Sequence, residues 1–196
     1  MFYQISRPWA YILIKGRDKQ FYDFLLPAIL SLAVTTVAIL SKGSINYFGA
    51  GGIISSFTSF IQNLPGFFIA ALSVVATFQK AEMDYFLAEP TPTINIRSDG
   101  RNGAIRLTRR RFLGLLFSFL TAQSIAITIF GIAITSYSGY IAQIIPDPTK
   151  IYCFGFGLFI YLFLVSQMVI VTLWGLYYLS ERMLQGEKPP PKDEDQ

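Results

Sequence analysis

The sequence predicts an all-α integral membrane protein with four transmembrane helices, a short cytoplasmic β-hairpin, and both termini cytoplasmic. Three observations lead there. Four apolar stretches divide the chain, roughly Phe24–Ser41, Ala50–Phe78, Phe112–Ile134 and Ile151–Leu179. The composition is 53% hydrophobic and only 14% charged, where a soluble domain carries about a quarter charged residues. The third observation is where the positive charge sits. Of 16 Lys and Arg residues, all but Lys42 and Lys150 fall in three segments: the N-terminal arm, the central connection and the tail. Short loops rich in Lys and Arg stay cytoplasmic, so these three segments share the inner side.

The arm, 1–21, carries Arg7, Lys15, Arg17 and Lys19 among many apolar and aromatic residues (Phe2, Tyr3, Ile5, Trp9, Tyr11, Ile12, Leu13, Ile14). It is expected to lie in the membrane interface or to add a strand to the hairpin. The transmembrane domain follows at 22–179, and 180–196 forms a polar tail with Pro189-Pro190-Pro191 that is predicted to be disordered. No cleavable signal peptide is read. The first apolar stretch begins only at Phe24 and ends at Ile39-Leu40-Ser41-Lys42, without a small-x-small cleavage pattern.

A span needs about 20 helical residues. The first stretch, with 18, is marginal; Phe21, Tyr22 and Phe24 place aromatics at the headgroups, and Pro27 falls in the first turn, where a missing N–H costs little. The second stretch has 29 residues, too long for one straight span, and Pro65-Gly66 follows Gln62-Asn63 at its middle. This predicts a kinked helix, or an outer amphipathic piece (Ile53–Leu64) turning inward at Pro65, loosened by Gly49, Gly51 and Gly52. The third stretch is ordinary at 23 residues. The fourth is bracketed by Tyr152 and Phe154 outside and by Trp174, Tyr177 and Tyr178 inside. Lys42–Gly49 and Thr135–Lys150 are left as outer loops, the latter stiffened by Pro146-Asp147-Pro148.

Two rows of small residues, Gly66, Ala70, Ser73, Thr77 and Gly114, Ser118, Ala122, follow helical spacing and predict close helix packing, within one chain or between copies. No Asp, Glu, Lys, Arg or His lies inside any of the four stretches. Ion pumps and proton-coupled carriers keep such residues at depth, and enzymes of the bilayer need a base, a nucleophile or metal ligands. The chain is therefore read as no enzyme, with no catalytic residue, metal or cofactor. The single cysteine, Cys153, permits no internal disulfide. Two amides remain at depth, Gln123 and Gln167. They form an interhelical hydrogen bond, or they line a polar constriction between copies together with Pro65, Gly66 and Gly114.

Residues 80–111 form the one substantial loop. Thr93–Arg97 and Ala104–Thr108 alternate apolar and polar residues, with Asp99-Gly100 and Asn102-Gly103 between them, which predicts a β-hairpin. A hairpin alone is marginal in water. Ile94, Ile96, Arg97, Arg101, Ile105, Arg106 and Leu107 are accordingly read as a docking face for a soluble cytoplasmic protein, by extension of its sheet. Arg109-Arg110-Arg111 is read as an anchor on anionic lipid headgroups. The sequence pI near 9.2 reflects charges beside helix ends, so membrane lipid, rather than direct nucleic-acid binding, is the expected partner.

The stretch Leu64-Pro65-Gly66-Phe67-Phe68-Ile69-Ala70-Ala71, running on to Ala76-Thr77-Phe78, stands in a chain of four spans with one structured inner loop. In this it resembles the membrane subunit of the bacterial Kiwa anti-phage defence system. The resemblance implies a homo-oligomeric inner-membrane protein that senses phage attack at the envelope. It would act with a soluble DNA-binding effector that blocks phage replication or expression. Apart from that likeness, the residues favour a non-catalytic scaffold or sensor. The alternative is a small pore-forming, holin- or channel-like protein that depolarises the membrane; a solute carrier ranks third.

Overall fold

The computed structural model describes residues 7–14, 19–41, 46–49, 51–77, 79, 81–87, 93–98 and 101–179, with only the backbone of 81–82, 94–98, 101–104 and 147–148. The tail expected to be disordered lies outside these residues, as do Lys15, Arg17, Lys42 and the Asp99-Gly100 turn. Four helices are long and apolar enough to cross a membrane: Phe21–Leu40, Ile53–Thr77, Arg109–Ile144 and Thr149–Tyr177.

The first span opens on a π-turn, Phe21–Leu25, and continues as helix α1, Leu26–Leu40. Pro27 is the cause. It has no N–H, so the carbonyl of Asp23 lacks the donor that an α-helix supplies four residues on. The wider turn carries the chain past this gap, with Leu26 N–H bonded to the Phe21 carbonyl. The buried face of α1 is Pro27, Ser31, Thr35 and Ala38, a stripe of small residues laid against the fourth span. There Gly155 meets Ile39: a Cβ on the glycine would stand 3.2 Å from Ile39 Cδ1.

The second span is two helices, α2 (Ile53–Ile61) and α3 (Leu64–Thr77), broken at Gln62-Asn63. Pro65 cannot donate to Ile61, and Asn63 N–H reaches only the Phe60 carbonyl, at 3.3 Å. The Asn63 side chain compensates by donating to the Ser59 carbonyl at 3.1 Å. Upstream, Gly51 takes φ 71°, and the Asn46 and Tyr47 carbonyls accept the first amide hydrogens of α2, from Ile53 and Ile54.

The third span exceeds its predicted length. Helix α4, Arg109–Ile144, has 36 residues, about 54 Å at 1.5 Å each. The predicted outer loop Thr135–Lys150 is thus mostly helix, with only Ile145-Pro146 before α5, Asp147–Tyr177. Its Ser and Thr read as loop residues, but two of their hydroxyls bond back inside the helix: Thr135 donates to the Gly131 carbonyl and Ser138 to the Thr135 carbonyl, both at 3.0 Å. Pro148 falls in the first turn of α5, where proline is tolerated.

Helices α4 and α5 form the centre, through Leu113, Leu116, Leu120, Ile127, Leu158, Tyr161, Val165, Met168 and Val171. The first span packs on α5 and the second on α4. The tight points between helices are Gly131, Gly155 and Gly175. At Gly66 and Gly114, by contrast, an added Cβ would meet nothing within 4 Å. The close approach expected of both does not occur within the chain, and Gly66, Ala70, Ser73 and Thr77 all face outward.

Strands β1 (Thr93–Ser98) and β2 (Arg101–Arg106) pair antiparallel, with Ile94 opposite Ile105 and Asn95 opposite Ala104. They form a sheet of two strands. Among the described residues the arm contributes no strand to it. Arg7–Leu13 is a 3₁₀ turn packed on α4.

Candidate functional site

Two constellations stand out. The first is a polar bridge inside the bundle. Gln123, on α4, donates through Nε2 to Gln167 Oε1 at 2.9 Å and to the Leu164 carbonyl at 3.2 Å. Gln167, on α5, donates in turn to the Asp23 carbonyl at 2.8 Å. This is the carbonyl that Pro27 leaves without its α-helical donor, so the fourth span supplies what the first span's sequence removes. Both amides are buried. Gln123 Oε1 is left without a donor.

The bridge continues into charge. The Asp23 carboxylate pairs with Lys19 at 2.6 Å and accepts from the Tyr11 hydroxyl at 3.5 Å, while the Lys19 ammonium stands 4.2 Å from the centre of the Tyr11 ring. The two charged side chains are only 10% and 7% exposed. Burial, and then the Asp23 charge, push the Tyr11 phenol far above its ordinary range, so it remains a neutral donor. Tyr11 itself is held between Phe119, stacked at 5.0 Å, and Phe112 at 6.2 Å, with Trp9 edge-on to Phe119. The arm, the first span and the two central helices thus meet at one cluster.

The first span therefore holds a buried carboxylate that its predicted bounds leave out. Asp23 is one residue before the apolar stretch read from sequence, and it is 5% exposed within the span Phe21–Leu40. Gln167 lies ten residues before the end of α5, about 15 Å along its axis. The signal available in the sequence was Lys19-x-x-x-Asp23, an i, i+4 pair, with proline four residues further on.

The second constellation joins the hairpin to the third span. Leu87 N–H bonds to the Leu107 carbonyl at 3.1 Å, Arg109 N–H to the Tyr85 carbonyl at 3.0 Å, and Phe86 bridges Thr108. Met83, Leu87 and Leu107 are buried beneath this short ladder. Thr108 caps α4, its hydroxyl accepting from Arg111 N–H. Arg110 grips Asp84 with two nitrogens, at 2.8 and 3.2 Å, and donates to the Val75 and Ala76 carbonyls at the end of α3. The guanidinium holds the Asp84 carboxyl below its usual range.

The expected headgroup and docking residues therefore separate. Arg109 is buried and Arg110 clamps α3, which leaves Arg111 exposed. Leu107 is core and not docking surface. Ile105 and Arg106 are exposed, and the side chains of Ile94, Ile96, Arg97 and Arg101 lie outside those described. Pro65 stands beside the helix break, and Gly66 faces outward. Among the described residues, no group of three or more His, Cys, Asp or Glu side chains is placed to hold a metal ion. Comparison with protein-family models, with curated proteins and with solved structures finds no match.

Proposed function

We propose that the chain is a non-catalytic scaffold or sensor subunit of a bacterial inner (plasma) membrane, which presents its hairpin to a soluble partner. The observation that carries this reading is the clamp at Tyr85–Leu87 and Leu107–Arg110. It makes the hairpin an extension of a 36-residue helix instead of a loose loop. Among the described residues each strand of the hairpin has one unpaired edge, and Arg97, Arg101 and Arg106 lie on the two strands. An open edge with positive charge suits an acidic protein that adds a strand. The Lys and Arg bias puts the hairpin and both termini in the cytoplasm.

Self-association draws support from the outward face of Gly66, Ala70, Ser73 and Thr77, a surface on which two helices can approach closely. The resemblance to the Kiwa membrane subunit adds an anti-phage setting and makes the partner a DNA-binding effector. The pore-forming reading relied on Gln123 and Gln167; their bond to each other inside one chain favours the scaffold.

Co-purification in mild detergent tests the proposal. The tagged chain is expected to retain one soluble protein, and Ile105→Asp with Arg106→Glu to lose it while membrane insertion stays unchanged. Retention by the double variant would refute the docking role. Ion leak through liposomes carrying the protein, abolished by Gln123→Leu, would favour the pore instead.

A further inference from the structure

The arm packs along the first three turns of α4, with Tyr11 between Phe112 and Phe119. Trp9 and Tyr11 both rest on Phe119, which is about 15 Å up the helix axis from Arg109. The first span begins at a similar height, since Asp23 is bonded to Gln167. The bundle therefore has a strip, about 15 Å tall, where the first span is absent and the arm takes its place.

The outer surface at that height is apolar on the other flanks too. Leu173 and Leu176 of α5 and Val74 of α3 are all exposed in the last turns before the hairpin end. With four helices long and apolar enough to cross a membrane, these positions suit contact with lipid. The arm presents the same character. Ala10, Tyr11 and Ile14 turn inward, while Trp9 (39%), Ile12 (36%) and Leu13 (70%) face out. Phe21, Tyr22 and Leu25, where the first span opens, are exposed as well. The nearby ammonium of Lys19 is directed away from this face, onto Asp23 and the Tyr11 ring.

We propose that the arm is embedded in the leaflet at the hairpin end, with Trp9, Ile12 and Leu13 against lipid acyl chains. It completes the lipid-facing belt beneath a first span that starts too high to do so. One residue, Tyr11, then ties this contact to Asp23 and so to the bridge between the central helices. A leaflet that thins or withdraws exposes the apolar face to water and favours release of Tyr11.

Trp9 and Trp174 are the two tryptophans, so Trp174→Phe leaves Trp9 as the sole reporter. In vesicles of phosphatidylcholine brominated on the acyl chains, Trp9 emission is expected to be strongly quenched, and aqueous iodide to have little effect. Quenching by iodide but not by bromolipid would overturn the proposal. Leu13→Cys with Cys153→Ser leaves the aromatic cluster intact and gives a second readout. An impermeant maleimide is expected to label it about tenfold more slowly in vesicles than after detergent denaturation, because the reactive thiolate forms in water. Equal rates, or a disulfide between two copies at position 13, would place water or a second chain where lipid is expected.

Discussion

The two flanks of the central helix pair are held by different means. On one, the first span and the arm attach through polar side chains: Gln167 to the Asp23 carbonyl, Lys19 to the Asp23 carboxylate, and Tyr11 between them. On the other, the second span attaches by close apposition. Gly131 of α4 lies directly against Thr58, whose hydroxyl shares a 2.9 Å hydrogen bond with Tyr161, and an added Cβ on that glycine would meet Thr58 Oγ1 and Tyr161. In both places a proline interrupts a helix. Pro27 frees a carbonyl that another helix satisfies, whereas the break before Pro65 is repaired locally by Asn63. A break closed from another helix fixes the register of the two elements; a break closed from within its own helix leaves that to the contacts on either side of it, here Gly131, the Thr58–Tyr161 bond and Arg110 on the Val75 carbonyl.

The contrast can be broken most severely at Lys19. Lys19→Met leaves the buried Asp23 charge unpaired and is expected to cost about 3–5 kcal/mol, read as a lowered unfolding midpoint in detergent. Asp23→Asn combined with Lys19→Met should recover much of that loss. On the opposite flank, Gly131→Ala forces a methyl group onto Thr58 and is expected to cost about 1–3 kcal/mol. Gly66→Ala, which meets nothing, should stay within about 0.5 kcal/mol of wild type. Equal effects at the two glycines would contradict the packing described for the second span. Gln167→Leu should cost roughly 0.5–2 kcal/mol, and backbone hydrogen exchange should rise at the π-turn Phe21–Leu25 but not around Gln62-Asn63.

The smallest effect sits at the exposed Arg110–Asp84 pair, and it depends on pH. Arg110 lowers the folded-state value of Asp84, so the stabilisation is present above the unfolded carboxylate pKa, about 3.9. It is lost as pH falls through the lower folded value. Asp84→Asn should therefore unfold slightly earlier than wild type at neutral pH, and the two melting curves should converge in strong acid.

Four apolar spans, the break near Pro65 and the hairpin were legible because each has a local signature: hydropathy, proline, and period-two alternation around turn-forming residues, although Asn102-Gly103, read as part of the turn, lies within β2. What the sequence hid was long-range. The outer part of α4 reads as a loop because Thr135, Ser136, Ser138 and Gly139 are poor helix formers in water, and in the fold the Thr135 and Ser138 hydroxyls bond back to the helix backbone. The glycines that matter, Gly131, Gly155 and Gly175, are distinguished only by what faces them. Arg109-Arg110-Arg111 looks like a uniform basic run, yet helical geometry sends one side chain into the core, one onto α3 and one outward. Asp23 lies one residue before the first apolar stretch, and its role appears only when the arm folds back along α4.

Whether the hairpin is fixed to the third span is best read by pulsed electron-spin distances. Spin labels at Ile105→Cys and Leu173→Cys, in a Cys153→Ser background, place one probe on β2 and one on the outer face of α5, both at exposed positions. A single narrow distance distribution in lipid nanodiscs is the expected result, since backbone hydrogen bonds tie Leu107 and Arg109, directly after β2, to Leu87 and Tyr85. A broad or multimodal distribution would mean that the hairpin moves independently of the helix, and the scaffold would lose the element that displays it.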